Sequence, residues 1–153
     1  MSMNNQLFEL FKQKLIQDYN GNVPSCALTA GYWDWKYPEK PNYYFLILKG
    51  FNHLNYTKDV DALPFLLRLN DKYPDAPDIL DYIASVYRER DEYISAIKYY
   101  IKLIELYPFI EDYRKNIEIC KTFIDFDNLP ETDESADWLI KKLKEIDEKY
   151  WKH

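Results

Sequence analysis

Two consecutive stretches of 34 residues decide the fold: YYFLILKGFNHLNYTKDVDALPFLLRLNDKYPDA at 43–76 and PDILDYIASVYRERDEYISAIKYYIKLIELYPFI at 77–110. Laid one over the other, they match Leu46 with Leu80, Gly50 with Ala84, Ala62 with Ala96, Leu69 with Leu103, Tyr73 with Tyr107 and Pro74 with Pro108. His53 and Leu66 are answered by Tyr87 and Tyr100. A shift of this length is the signature of a stacked helix–turn–helix array. Gly50 or Ala84 on a first helix, and Ala62 or Ala96 on a second, are small where two antiparallel helices approach closely; a bulky residue would wedge them apart. Pro74 and Pro108 stand just past the second helix, where the missing N–H and the clash with the preceding turn end it. Pro64 falls inside the second helix of the first stretch, which is tolerable if that helix begins near Asp61 and Pro64 lies in its first turn.

On Leu80, Ile83, Ala84, Tyr87, Ala96, Tyr100, Leu103 and Pro108, the chain resembles the tetratricopeptide repeat family. The segment 43–76 follows the pattern less completely, since Lys49 stands where Ile83 does. The resemblance implies an array of helical hairpins wound into a superhelix, with partners bound on the concave side lined by each first helix. Projected onto this chain, that side carries Tyr44, Ile47, Leu48, Phe51 and Leu54, then Asp78, Asp81, Tyr82, Ser85 and Arg88, then Asp112, Lys115, Asn116 and Ile119. Family members that grip a peptide's terminal carboxylate use a Lys and Asn set; Ile47, Phe51, Tyr82 and Asp112 occupy those places, which argues against that mode.

Outside the repeats, Leu7, Phe8, Phe11 and Leu15 recur at helical spacing, predicting a helix over 5–19 that Asn20-Gly21 stops. The stretch 22–41 contains Pro24, Gly31, Pro38 and Pro41 and reads as a long loop, of the kind that binds something or packs as a lid. Residues 111–153 read as a degenerate repeat and a capping helix near 133–151, with Leu139, Leu143, Ile146 and Tyr150 on one side. The whole is expected to be one all-α domain over 1–153.

Within the loop, Tyr32-Trp33-Asp34-Trp35-Lys36-Tyr37 alternates aromatic and charged residues and, if extended, places Trp33, Trp35 and Tyr37 on one side. Such a face either packs with the first helix into the groove and seals it, or stands exposed as a hot spot for a partner. Three exposed aromatics are an aggregation liability, which favours the sealed arrangement.

The 153 residues carry 20 Lys+Arg against 26 Asp+Glu, a net charge of −6, with basic residues interspersed among acidic ones. That balance argues against a phosphate-backbone binder. No segment approaches the roughly 18 uninterrupted apolar residues of a membrane span, and the N-terminus lacks a basic flank leading into an apolar run. A cytoplasmic location is expected, with Cys26 and Cys120 as reduced thiols.

The catalytic inventory is thin: no phosphate loop, no paired Cys-x-x-Cys, no zinc-protease or nucleophile-elbow motif, and only two histidines, His53 and His153. A Cys26–His53 nucleophile pair has no support from spacing, so no catalytic residue, cofactor or metal is assigned. The carboxylates Asp71, Asp75, Asp78 and Asp81, and Glu131, Asp133, Glu134 and Asp137, read as helix N-terminal charges rather than a cation site. These observations point to a non-catalytic module that binds a partner protein or peptide, with a basic partner suiting the net charge, and not nucleic acid or membrane. Its candidate contacts are Trp33, Trp35, Tyr37, Tyr44, Ile47, Phe51, Asp78, Asp81, Tyr82 and Arg88. The alternative is a bacterial immunity or antitoxin protein whose acidic surface steers onto a basic toxin. Open repeat ends also suit a homodimer.

Overall fold

The computed structural model describes residues 3–36, 62–128 and 134–151, and these are all-helical. In chain order they form α1 (Met3–Asp18), α2 (Ser25–Lys36), α3 (Leu63–Lys72), α4 (Pro77–Glu89), α5 (Tyr93–Leu106), α6 (Glu111–Lys121), a 3-10 turn (Phe126–Asn128) and α7 (Glu134–Ile146), which continues as a π turn (Asp147–Trp151). The expected first helix of the first repeat, with Tyr44, Ile47, Phe51 and His53, and the aromatic Tyr37, lie outside the described residues.

At the centre is the α4–α5 hairpin. Helix α4 carries two adjacent apolar stripes: Ile79, Ile83 and Val86 join the core shared with α2 and α3, while Leu80 and Ala84 join the core shared with α5, α6 and α7. Helix α5 is buried through Ala96, Ile97, Tyr100, Ile101, Leu103 and Ile104 because neighbours cover it on several sides. Ala84 and Ala96 are both fully buried, as two closely crossing helices require. Asp91 closes the turn between them in the left-handed region (φ 61°), with Glu92 N–H donating to Tyr87 O (2.9 Å) and Asp91 N–H to Arg88 O (3.0 Å). These two bonds satisfy the last carbonyls of α4 in a Schellman arrangement.

Two backbone corners share one geometry. Tyr73 and Tyr107 end α3 and α5 with nearly the same dihedrals, φ/ψ −129°/69° and −133°/66°. Their N–H groups donate to Leu69 O (2.8 Å) and Leu103 O (2.7 Å), and their carbonyls accept from Ala76 N and Ile110 N, each at 3.2 Å. Pro74 and Pro108 follow both, and the Tyr107 hydroxyl donates to the Asp75 carbonyl, tying one corner to the next. Pro64 stands in the first turn of α3, where a missing N–H loses no bond.

The stretch 22–41 is not one long loop: Ser25–Lys36 is the helix α2. Pro24 lies before its first turn and accepts there, from Ala27 N (3.1 Å) and Leu28 N (3.3 Å), so the proline begins the helix rather than interrupting it. Gly31 is a packing residue, since a Cβ there would stand 3.3 Å from the Phe11 ring of α1. Gly31→Val is therefore expected to lower stability by about 1–3 kcal/mol through overpacking, measured by urea denaturation; an unchanged midpoint would refute the close approach. As a helix, the segment separates Trp33 from Trp35 instead of aligning them. Trp33 packs edge-on to Tyr32 and Tyr73 (centroids 5.4 and 5.6 Å), while Trp35 stacks on Phe8 and Phe11 (5.4 and 5.1 Å).

Helix α1 runs over Met3–Asp18, against the 5–19 expected, and Asn20 (φ 52°) and Gly21 (φ 85°) end it, with Gly21 N–H donating to Ile16 O at 2.9 Å. Its inward face is Phe8, Phe11 and Leu15; Leu7, read as part of that stripe, points outward. Lys12 reaches the Leu106 carbonyl at the C-terminus of α5 (3.4 Å), where a cation suits the dipole. Helix α7 packs on α5 through Leu139, Leu143 and Ile146, with Lys142 3.3 Å from Glu105.

Candidate functional site

Asp78 and Asp112 are 34 residues apart and each is the second residue of its helix, α4 and α6. Both lie on the side that the family resemblance assigns to ligands, and both are taken by α2. Trp33 Nε1–H donates to Asp78 Oδ2 at 2.7 Å, and Ser25 N–H donates to Asp112 Oδ2 at 3.1 Å. The eight residue steps from Ser25 to Trp33 cover roughly 12 Å of helix axis, close to the ~8–10 Å between packed helices. Helix α2 thus bridges two equivalent carboxylates, with Asp112 satisfying a free N–H at its positive end.

In this placement Trp33 and Asp78, both candidate partner contacts from the sequence, are taken up inside the chain. Trp33 is 1% exposed and Asp78 2%, and they contact each other. Trp35 is half-buried between α1 and α2. Asp81, Tyr82 and Arg88 are partly buried, with Arg88 Nη1 donating to Asn116 Oδ1 at 3.2 Å. Tyr37, Tyr44, Ile47 and Phe51 lie outside the described residues; of the rest, the structure joins Trp33 to Asp78 and sets Asp81 within reach of the Arg88 charge, while Trp35 packs apart from them on Phe8 and Phe11.

The seat of α2 is electrostatically unusual. Burial pushes the Asp78 carboxyl up to about 7, although N–H donors from Trp33 and from Ile79 (3.0 Å) pull the other way. Burial likewise lifts Asp81 to about 6 against the opposing charge of Arg88, and Tyr82 to about 12. The buried Tyr113 hydroxyl has no hydrogen-bond partner among the described residues, and burial raises both it and Tyr100, the latter against a hydrogen bond with Ser85. In each of these groups burial favours the protonated form. Cys120 is buried and its thiol is pushed up, the opposite of thiolate activation; Cys26 is exposed on the first turn of α2. Among the described residues no group of three or more His, Cys, Asp or Glu is placed to hold a metal ion.

The sequence pattern did not reveal an open groove of about 530 Å³ between α1 and α2. Its walls are apolar, formed by Leu7, Leu10, Phe11, Leu15, Gly31 and Trp35, with Lys14 and Asp18 also lining it. Leu7 is 46% exposed and Leu10 61%. The available signal was Leu7 and Leu10 at i, i+3, an apolar pair beyond what one inward stripe needs.

Comparison with protein-family models, with curated proteins and with solved structures finds no match to this chain. No helix among the described residues is long and apolar enough to cross a membrane.

Proposed function

We propose that the chain is a non-catalytic, cytoplasmic binding module of the tetratricopeptide-repeat type, and that a partner protein seats apolar side chains in the groove between α1 and α2. The observation that carries this reading is the groove itself: open, walled by Leu10, Phe11 and Trp35, and edged by exposed Leu7. Its volume falls within the ~300–1,000 Å³ of ordinary ligand sites. Because α2 already engages Asp78 and Asp112, the reading moves the partner from the α4–α6 face to the outer side of α1 and α2.

The test is a Leu7→Ser, Leu10→Ser protein. Surface changes of this kind are expected to alter stability by about 0.5 kcal/mol or less, checked by thermal melting, and to weaken by about tenfold or more the binding of the protein that co-purifies at near-equal stoichiometry. A partner retained at full affinity by this folded variant would overturn the groove reading. A dimer of wild-type protein by light scattering, dissolved by the same substitutions, would instead make the occupant a second copy.

A second reading, an immunity or antitoxin protein directed at a basic toxin, is favoured by the net charge of −6 and by an acidic cleft beside the α4–α5 turn.

A further inference from the structure

The turn between α4 and α5 and the chain leaving α6 enclose a second cleft of about 420 Å³. Its base is aromatic: Phe123 stacks on Tyr93 with centroids 4.8 Å apart and planes within 11°, yet Phe123 remains 61% exposed. Its rim carries three carboxylates, Asp91, Glu92 and Asp125, and no Lys, Arg or His is among its described lining residues. Arg88, whose charge reaches Tyr93, donates to Asn116. Two rim carboxylates are already positioned: Asp91 sits in the left-handed turn and accepts from the Tyr93 hydroxyl at 3.0 Å, and Asp125 accepts from the Asn128 side chain. The first turn of α5 also borders the cleft, and its free N–H groups add roughly half a positive charge. Three carboxylates outweigh that, so the charge lining the cleft suits a cation better than an anion.

We propose that this cleft binds an arginine side chain of a partner protein, the guanidinium lying on the open face of Phe123 and donating to the rim carboxylates. A planar, weakly hydrated guanidinium matches both a flat ring and paired carboxylates, which a compact ammonium does less well. The inference rests on the reading of the chain as a binding module and gives its partner a sign and a contact residue.

The test is an NMR titration of the full chain with acetyl-arginine amide, compared with acetyl-citrulline amide, which keeps the shape and lacks the charge. Saturable shifts are expected at the amides of Ile94, Ser95, Phe123 and Ile124, with citrulline about tenfold weaker or more. Asp91→Asn with Asp125→Asn should weaken the arginine probe by a similar factor. Asparagine tolerates the left-handed turn at 91 and is nearly isosteric at 125, so this variant is designed to stay folded. Phe123→Ala, on an exposed side chain, gives the independent second loss. Absence of saturable shifts at these amides, equal binding of citrulline, or unchanged affinity in both variants would each overturn the proposal. Since the probe needs no partner, these outcomes are separate from the Leu7 and Leu10 experiment on the α1–α2 groove.

Discussion

Trp33→Ala is expected to be the most damaging single truncation among the described side chains. Removing a fully buried tryptophan costs about 3–5 kcal/mol through lost transfer energy and the cavity left behind. A further ~1–3 kcal/mol comes from leaving a buried acceptor without its donor, here Asp78 Oδ2. Against a stability of about 5–15 kcal/mol for a typical domain, the variant should be close to unfolded at 37 °C. Trp33 also joins α2 to α3 and α4, since its core cluster includes Leu66, Ile79, Ile83 and Val86. Amide hydrogen exchange should therefore show α2 losing protection before α5. Trp33→Phe separates the two contributions, keeping much of the ring contact with Tyr32 and Tyr73 while removing the Nε1 donor, and should cost about 1–3 kcal/mol. Urea denaturation followed by circular dichroism measures both. A loss below about 2 kcal/mol for the alanine variant, out of line with a buried tryptophan, would mean that α2 is not anchored as the structure has it.

The all-helical fold was legible because small residues and Tyr-Pro pairs recur in the sequence at places with a backbone reason. Tyr73 and Tyr107, with their prolines, mark corners of equal geometry, and Ala84 and Ala96 mark one close crossing. Helix α2 was hidden by two coincidences. Pro24 and Gly31 look like breakers in a string of letters, but one begins the helix and the other lets it lie against Phe11. The Trp33-Asp34-Trp35 alternation imitates a strand because α2 buries side chains toward two neighbours, Trp33 toward α4 and Trp35 toward α1. For the site, Asp78 and Asp112 hold the same place in α4 and α6, yet spacing in the sequence cannot say that a helix of the same chain would take them. The α1–α2 groove depends on which side of α1 is covered by α2, a tertiary fact with no local signature beyond the spare pair Leu7 and Leu10.

The second large effect concerns pH. Asp78 has its folded-state carboxyl raised from 3.8 to about 7 by burial, so the folded chain binds a proton that the unfolded chain has released between those values. Stability is then highest where both states are protonated and falls as pH rises from about 4 through about 7, the reverse of an ion-paired aspartate. At about 1.4 kcal/mol per unit, Asp78 alone accounts for on the order of 4 kcal/mol lost between pH 4 and pH 8. Asp81, raised to about 6, contributes in the same direction. The protein should therefore melt higher at pH 5 than at pH 8, at constant ionic strength. Asp78→Asn removes the charge while its carbonyl oxygen still accepts from Trp33 Nε1, as the protonated acid does. The variant is expected to be the more stable protein at pH 8, to fall somewhat below wild type near pH 4, because its amide NH2 cannot accept from Ile79 N–H as Oδ1 does, and to keep the shallower slope due to Asp81. If wild type is instead more stable at pH 8, or Asp78→Asn destabilises at that pH, then the Trp33 and Ile79 donors outweigh burial. Asp78 would then be a charged anchor that α2 depends on.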